Sequence, residues 1–340
     1  MRYTVILFFC FVYTFVVAQS PGRYRISFTD KNNSVYSIQR PQEFLSQKAI
    51  ERRQKFAIEI TMEDIPVNSW YIDSVLHYNT KLCNISKWFN SAVFVCDSTT
   101  NFAAIKALPF VKSIEKVAPF HKAQPDATPL KTENKNDISY LEFYTNYKEE
   151  LYGNSIRQIG LMNGVKLHTD GFMGQGMTIA VLDAGFLHVD SATAFSQAWK
   201  ENRILAYRDF SGAGVDVWKE GYHGMAVLSL IAAYLPKTMI GTAPRANYVL
   251  CRTEEGATEY RVEEDNWVAA AEFADSIGVD VISTSLGYSE FDDSTQNYTY
   301  KQMDGKTTRI TVASNIAASK GMLLFNSAGN SGDKPWKYIT

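Results

Sequence analysis

At 340 residues, 46% hydrophobic and 21% charged, the chain is long enough for about two domains that each bury a core, which excludes global disorder. Its 34 Lys and Arg against 36 Asp and Glu leave a net charge of −2, so no basic field exists to hold a phosphate backbone and nucleic acid is excluded as a partner. Four cysteines, Cys10, Cys83, Cys96 and Cys251, without close paired spacing, exclude a structural zinc site.

The chain opens with Arg2 and an apolar run over 5–17, shorter than a membrane span, followed by Ala18. Residues 1–18 read as a signal peptide cleaved after Ala18, which predicts an exported protein that is not held in a membrane after cleavage. Export permits a Cys83–Cys96 disulfide, with two buried free thiols as the alternative. Residues 22–118 form one block with strands expected at 24–28, 56–60, 92–96 and 111–117, and helices at 41–56, 69–77 and 100–108. That is a small α+β unit. Residues 119–149, polar and carrying Pro125 and Pro129, read as an accessible linker.

From 150 to 340 the pattern changes to short apolar strands, at 178–182, 204–210, 246–252, 279–285 and 322–326. The clearest helices between them fall at 225–234, 262–276 and 309–320. Strand, helix and strand in repetition predict a doubly wound, mainly parallel α/β sheet, which carries its chemistry at the carboxyl ends of the strands. At those ends stand Asp183 before Ala184-Gly185, His223 in Gly221-Tyr222-His223-Gly224-Met225, Ser285-Leu286-Gly287, and Asn330 in Ser327-Ala328-Gly329-Asn330-Ser331-Gly332. A His at a helix start with a carboxylate nearby can be neutral at rest and still accept a proton. A Gly-flanked amide can point its NH2 at a developing oxyanion, and a glycine past a strand lets a peptide backbone pair with the sheet. Taken singly, each of these is also an ordinary turn or cap residue.

The order Asp, His-Gly-Met, Ser-Leu-Gly, Ala-Gly-Asn-Ser-Gly over residues 150–340 resembles the subtilisin-like serine proteases, and the wording around it resembles exported subtilases of Bacteroidota. The resemblance implies a subtilisin-like fold that is incomplete at its C-terminal end. It assigns Asp183 as the triad acid, His223 as the general base, Asn330 as the oxyanion amide, and Ser285, Leu286 and Gly287 as the edge that pairs with substrate. It also implies that 22–118 is a ferredoxin-like propeptide that blocks the cleft, that 119–149 is the maturation region, and that the partners are polypeptide substrates and the chain's own propeptide.

The family's Gly-Thr-Ser-x-x-x-Pro segment, which carries the nucleophile, does not occur in the sequence. The expectation is therefore a fragment of a longer secreted serine endopeptidase, inactive as it stands, with a catalytically silent peptide-binding protein as the alternative. A nucleotide-binding role fails on placement, because Gly171, Gly174 and Gly176 precede a strand instead of linking strand to helix. No cofactor is required. Structural calcium, which the family often binds, has no assigned ligands: Glu263-Glu264-Asp265, Asp292-Asp293 and Asp304-Gly305 are oxygen-rich but lack EF-hand spacing, and are expected as solvated faces or caps.

Overall fold

The computed structural model describes residues 20–119, 149–212 and 214–339. The expected signal peptide, 1–18, and the linker between its end residues 119 and 149 lie outside them.

The first unit comprises β1 (Gly22–Phe28), α1 (Gln47–Lys55), α2 (Ser69–Leu76), β2 (Thr80–Ser86), β3 (Ser91–Cys96), α3 (Phe102–Ala107) and β4 (Val111–Pro119). Its four strands are antiparallel in the order β2-β3-β1-β4, the ferredoxin-like arrangement. Side chains that alternate along β1 explain the layering: Tyr24, Ile26 and Phe28 meet Ile72 and Val75 of α2 and Ile105 of α3, while Arg23 and Arg25 face the other way. Each helix starts where a side chain can cap it. Ser46 accepts the Ala49 N–H, Asn68 that of Trp70, and Asn101 that of Ala104. The Ser46 cap also divides the helix expected over 41–56 into a 3-10 turn, Pro41–Glu43, and α1.

Two expectations here need correction. The strand expected at 56–60 is a helix exit: Phe56 ends α1, Ala57 takes φ +53° and the Ile58 N–H bonds back to the Arg53 carbonyl. The true second strand, β2, escaped notice because Asn84 and Ser86, polar residues, occupy its buried positions. The described cysteines are free thiols: Cys83 sits in a bulge beside Val93 and Val117, and Cys96 lies in the core under α2 and α3.

The second unit begins with α4 (Ile156–Leu161) and α5 (Gly164–Thr169). It continues through β5 (Thr178–Asp183), α6 (Ser196–Lys200), β6 (Ile204–Asp209), α7 (Tyr222–Ala232), β7 (Tyr234–Leu235), β8 (Met239–Ile240), β9 (Asn247–Arg252), α8 (Val262–Ile277), β10 (Val281–Thr284), α9 (Arg309–Ser319) and β11 (Leu323–Asn326). Five strands form a parallel sheet in the order β11-β10-β5-β9-β6, with β7 and β8 a separate hairpin. β5 is central and wholly buried. Its Ala180 and Leu182 pack with Trp267 and Ala271 of α8 and Ala313 of α9, and its Ile179 and Val181 with Leu228 and Ala232 of α7. Both faces are therefore covered, which is why the strand reads as a continuous apolar run. The doubly wound α/β fold expected from the sequence is the fold observed. Among the described residues no helix is long and apolar enough to cross a membrane.

The outer face of the first unit's sheet docks on α8 and α9 through polar groups. Asn84 donates to the Asn266 Oδ1 at 2.7 Å, and Glu272 accepts the Ser86 hydroxyl at 2.6 Å and the Lys87 and Trp88 N–H groups at 2.7 and 3.0 Å. Arg309 reaches Glu115 at 2.8 Å. The acidic start of α8, expected to be solvated, is covered: Glu263, Glu264 and Asp265 are 2%, 0% and 5% exposed. The apolar periodicity of this segment misses the burial because polar partners supply it.

Candidate active site

The parallel register sets Asp183 level with Arg252, and Leu182 level with Thr284, so the carboxyl ends of β5, β9 and β10 share one edge. Asp183 is the last residue of β5 and is 0% exposed. His223 is the second residue of α7, which begins three residues earlier than the helix expected at 225–234 and so takes His223 into its first turn. Asp183 Oδ1 lies 2.7 Å from His223 Nδ1 and also accepts the Ala184 N–H at 2.7 Å. The Asp183 hydrogen bond raises the imidazole pKa above its ordinary 6.5, with partial burial opposing it. No described group bonds His223 Nε2, which leaves that nitrogen open to the cleft.

Two glycines permit the approach. A Cβ on Gly224 would stand 2.1 Å from the Gly185 carbonyl oxygen and 2.9 Å from the Asp183 Cβ, and Gly185 takes φ +136° where the chain turns out of the sheet. Behind the turn, Arg252 donates to the Ala184 carbonyl at 3.0 Å and pairs with Asp209 and Glu220 at 3.2 and 3.0 Å. Sequence reasoning missed Arg252, although it ends β9 and the strand-end rule would have found it.

A cavity of about 470 Å³ opens beside this pair, with His223, Ala184, Ser285 and Leu286 in its wall. Asp183, His223, Ser285 and Leu286 are thus brought together. Gly287, exposed, follows directly, while Asn330, also exposed, lies in the segment after β11 and does not line the cavity. The wall also includes Glu254, Glu259 and Glu263, whose carboxylates offer one oxygen each within 4.8 Å of one another. Of these three only Glu263 was noticed in the sequence, and as a surface residue. Of the other oxygen-rich segments, Asp293 and Asp304 serve local turns: Asp293 accepts from Thr295, and Asp304 from Lys306 and Thr307.

Residues 174–338 match the Subtilase family, and residues 23–135 match the family described as Peptidase S8 propeptide domain, Bacteroidota. Residues 174–338 belong to the subtilase family. No curated protein sequence matches this subtilase. Similar solved structures include fervidolysin from Fervidobacterium pennivorans, described as a keratinolytic enzyme related to subtilisin, at 15% identity and TM-score 0.49, over 94% of this chain and 41% of that one. The epidermin leader peptide processing serine protease of Staphylococcus aureus is similar at 14% identity and TM-score 0.47, over 92% of this chain and 61% of that one. The subtilase chain thus spans roughly two fifths to three fifths of the length of these relatives.

Proposed function

We propose that the whole protein is an exported serine endopeptidase whose acid, base and one wall of the substrate cleft are contained in this chain. The observation that carries the reading is the 2.7 Å contact between buried Asp183 and His223 Nδ1 at the carboxyl edge of the parallel sheet. With Asp183 accepting a hydrogen bond from Nδ1–H, the lone pair is on Nε2, which takes the proton of an attacking hydroxyl. Asp183 then stabilises the imidazolium. Asn330 supplies the amide for the oxyanion, and Ser285, Leu286 and Gly287 pair with the substrate backbone. Family membership supports the reaction class, and the match of 23–135 to a propeptide family supports the first unit, 22–118, as an intramolecular inhibitor with 119–149 as the maturation region. No calcium ligand is assigned, and no step requires a metal.

An active-site fluorophosphonate tests the reading on the full-length gene product. Labelling of one serine, lost in His223→Ala, is the expected result. Absence of labelling after removal of the first unit would leave the second reading, a peptide-binding subtilase fold without catalysis.

A further inference from the structure

Asp183 is oriented through one oxygen. Its Oδ1 accepts the Ala184 N–H and lies 2.7 Å from His223 Nδ1, while no described group hydrogen-bonds to its buried Oδ2. The place of that carboxylate therefore follows the place of the backbone at Ala184. His223 stands in the first turn of α7, so its ring moves with the residues that lead into the helix, Glu220 and Gly221. These two segments touch: a Cβ on Gly185 would stand 2.4 Å from the Glu220 carbonyl oxygen. One side chain bonds to both. Arg252, 3% exposed at the end of β9, donates from Nε to the Ala184 carbonyl and from Nη2 to Glu220 Oε2, each at 3.0 Å. Its Nη1 donates to Ser211 Oγ at 2.6 Å and Asp209 Oδ1 at 3.2 Å. Those acceptors are fixed in turn, since Asp209 Oδ1 accepts the Ser211 N–H at 2.9 Å and the Ser211 hydroxyl at 2.7 Å.

We infer that Arg252 is the positioning residue of the acid–base pair: anchored on the exit of β6, it holds the segment that carries Asp183 and the segment that carries His223 at the separation where their hydrogen bond forms. It bonds to neither side chain of the pair and does not line the cavity, so it acts through them and not on a substrate. The chemistry requires arginine here. A planar guanidinium aims rigid donors in three directions at once, whereas an ammonium is a point charge on a flexible stem and cannot span the same acceptors. A buried cation between two carboxylates gains little net stability over apolar packing, which leaves the geometry it fixes as the reason for its place. The inference rests on the peptidase reading for what the pair does, and on these distances for how the pair is held.

The first measurement is independent of catalysis. In the 340-residue chain with isotope-labelled histidine, the proton on His223 Nδ1, identified by its loss in His223→Gln, should resonate downfield of an ordinary imidazole N–H because it is bound to a carboxylate. In Arg252→Lys, which keeps a positive charge beside Asp209 and Glu220, that proton should move upfield and exchange faster with water. In the matured full-length protein the same variant should lower kcat on a fluorogenic peptide on the order of 10- to 100-fold with KM unchanged, because a displacement of about 1 Å at a reacting group costs that much. Glu220→Gln cuts only the bond toward α7 and should move both readouts the same way by less; it serves as the second variant where Arg252→Lys does not fold. A proton unmoved in both variants overturns the inference whether or not the protein cleaves peptides. So does a raised KM with kcat unchanged, which would make Arg252 a substrate contact. A proton that responds to Arg252→Lys in a protein that neither labels with fluorophosphonate nor cleaves any peptide supports Arg252 as the brace of the pair and overturns the peptidase reading.

Discussion

Replacing Asp275 by alanine should be among the most damaging single changes in the chain. Asp275, 0% exposed near the end of α8, receives three cations from the first unit: Arg52 at 2.5 Å, Arg53 at 3.0 Å and Lys87 at 3.2 Å. Arg52 and Arg53 are 5% and 1% exposed, so solvent screens little of the interaction. In Asp275→Ala, Arg53 keeps Asp64 at 2.9 Å and Arg52 keeps backbone carbonyls of residues 279 and 320, but Lys87 loses its ion-pair partner. Breaking a buried pair from one side costs about 3–5 kcal/mol, because the remaining charge is left desolvated. The control is Lys48→Ala. It removes a contact to Asp280 of similar length, 2.7 Å, but with side chains 40% and 23% exposed, and should cost no more than about 1 kcal/mol. Urea unfolding of the 340-residue chain, followed by tryptophan fluorescence, measures both. A loss below about 1 kcal/mol in Asp275→Ala, or one no larger than in Lys48→Ala, would refute the argument that this carboxylate holds the two units together.

On the proposed function His223 acts as a base only when neutral, and Asp183 raises its pKa above 6.5, so kcat/KM of the full-length protein should fall as pH drops through a midpoint higher than 6.5. Asp183→Asn should lower that midpoint and cut kcat on the order of 10⁴-fold; an unchanged pH profile would show that the pair does not operate. Gly224→Ala forces a Cβ to within 2.1 Å of the Gly185 oxygen, so α7 must shift; stability should fall by about 1–3 kcal/mol, and fluorophosphonate labelling with it. Glu272 is buried under the first unit, and burial raises its pKa from 4.5 to about 7. A carboxyl raised on folding stabilises the protein below its unfolded pKa, so this contribution is lost as pH climbs from 4.5 to about 7. Glu272→Gln should flatten stability over that window, as pH-dependent urea midpoints would show.

Periodicity was sufficient wherever burial is apolar. β5, with every residue buried, and α8, with Trp267, Ala271 and Ala274 on the core side, stand within a residue or two of their expected positions. Asp183 stands at the carboxyl end of β5 and His223 in the first turn of α7, 2.7 Å apart. Periodicity was insufficient wherever a polar side chain is buried by a distant partner. β2 was invisible because Asn84 and Ser86 point into the interface, toward Asn266 and Glu272, some 180 residues on. The same blindness placed Glu263, Glu264 and Asp265 in solvent when the docked unit covers them.

The sequence by itself determined the alternation of strands and helices, the central apolar strand, and the succession of Asp183, His223 and Ser285-Leu286-Gly287 after the apolar segments that precede them, because those depend on local hydrophobic pattern and turn chemistry. Only the tertiary structure decided which faces of the two units meet, that Cys83 and Cys96 lie on opposite faces of one sheet, and that three glutamates crowd into the cavity beside His223. Those outcomes depend on long-range pairing. The cost of burying a polar or charged group is met by a partner that no local stretch of sequence identifies.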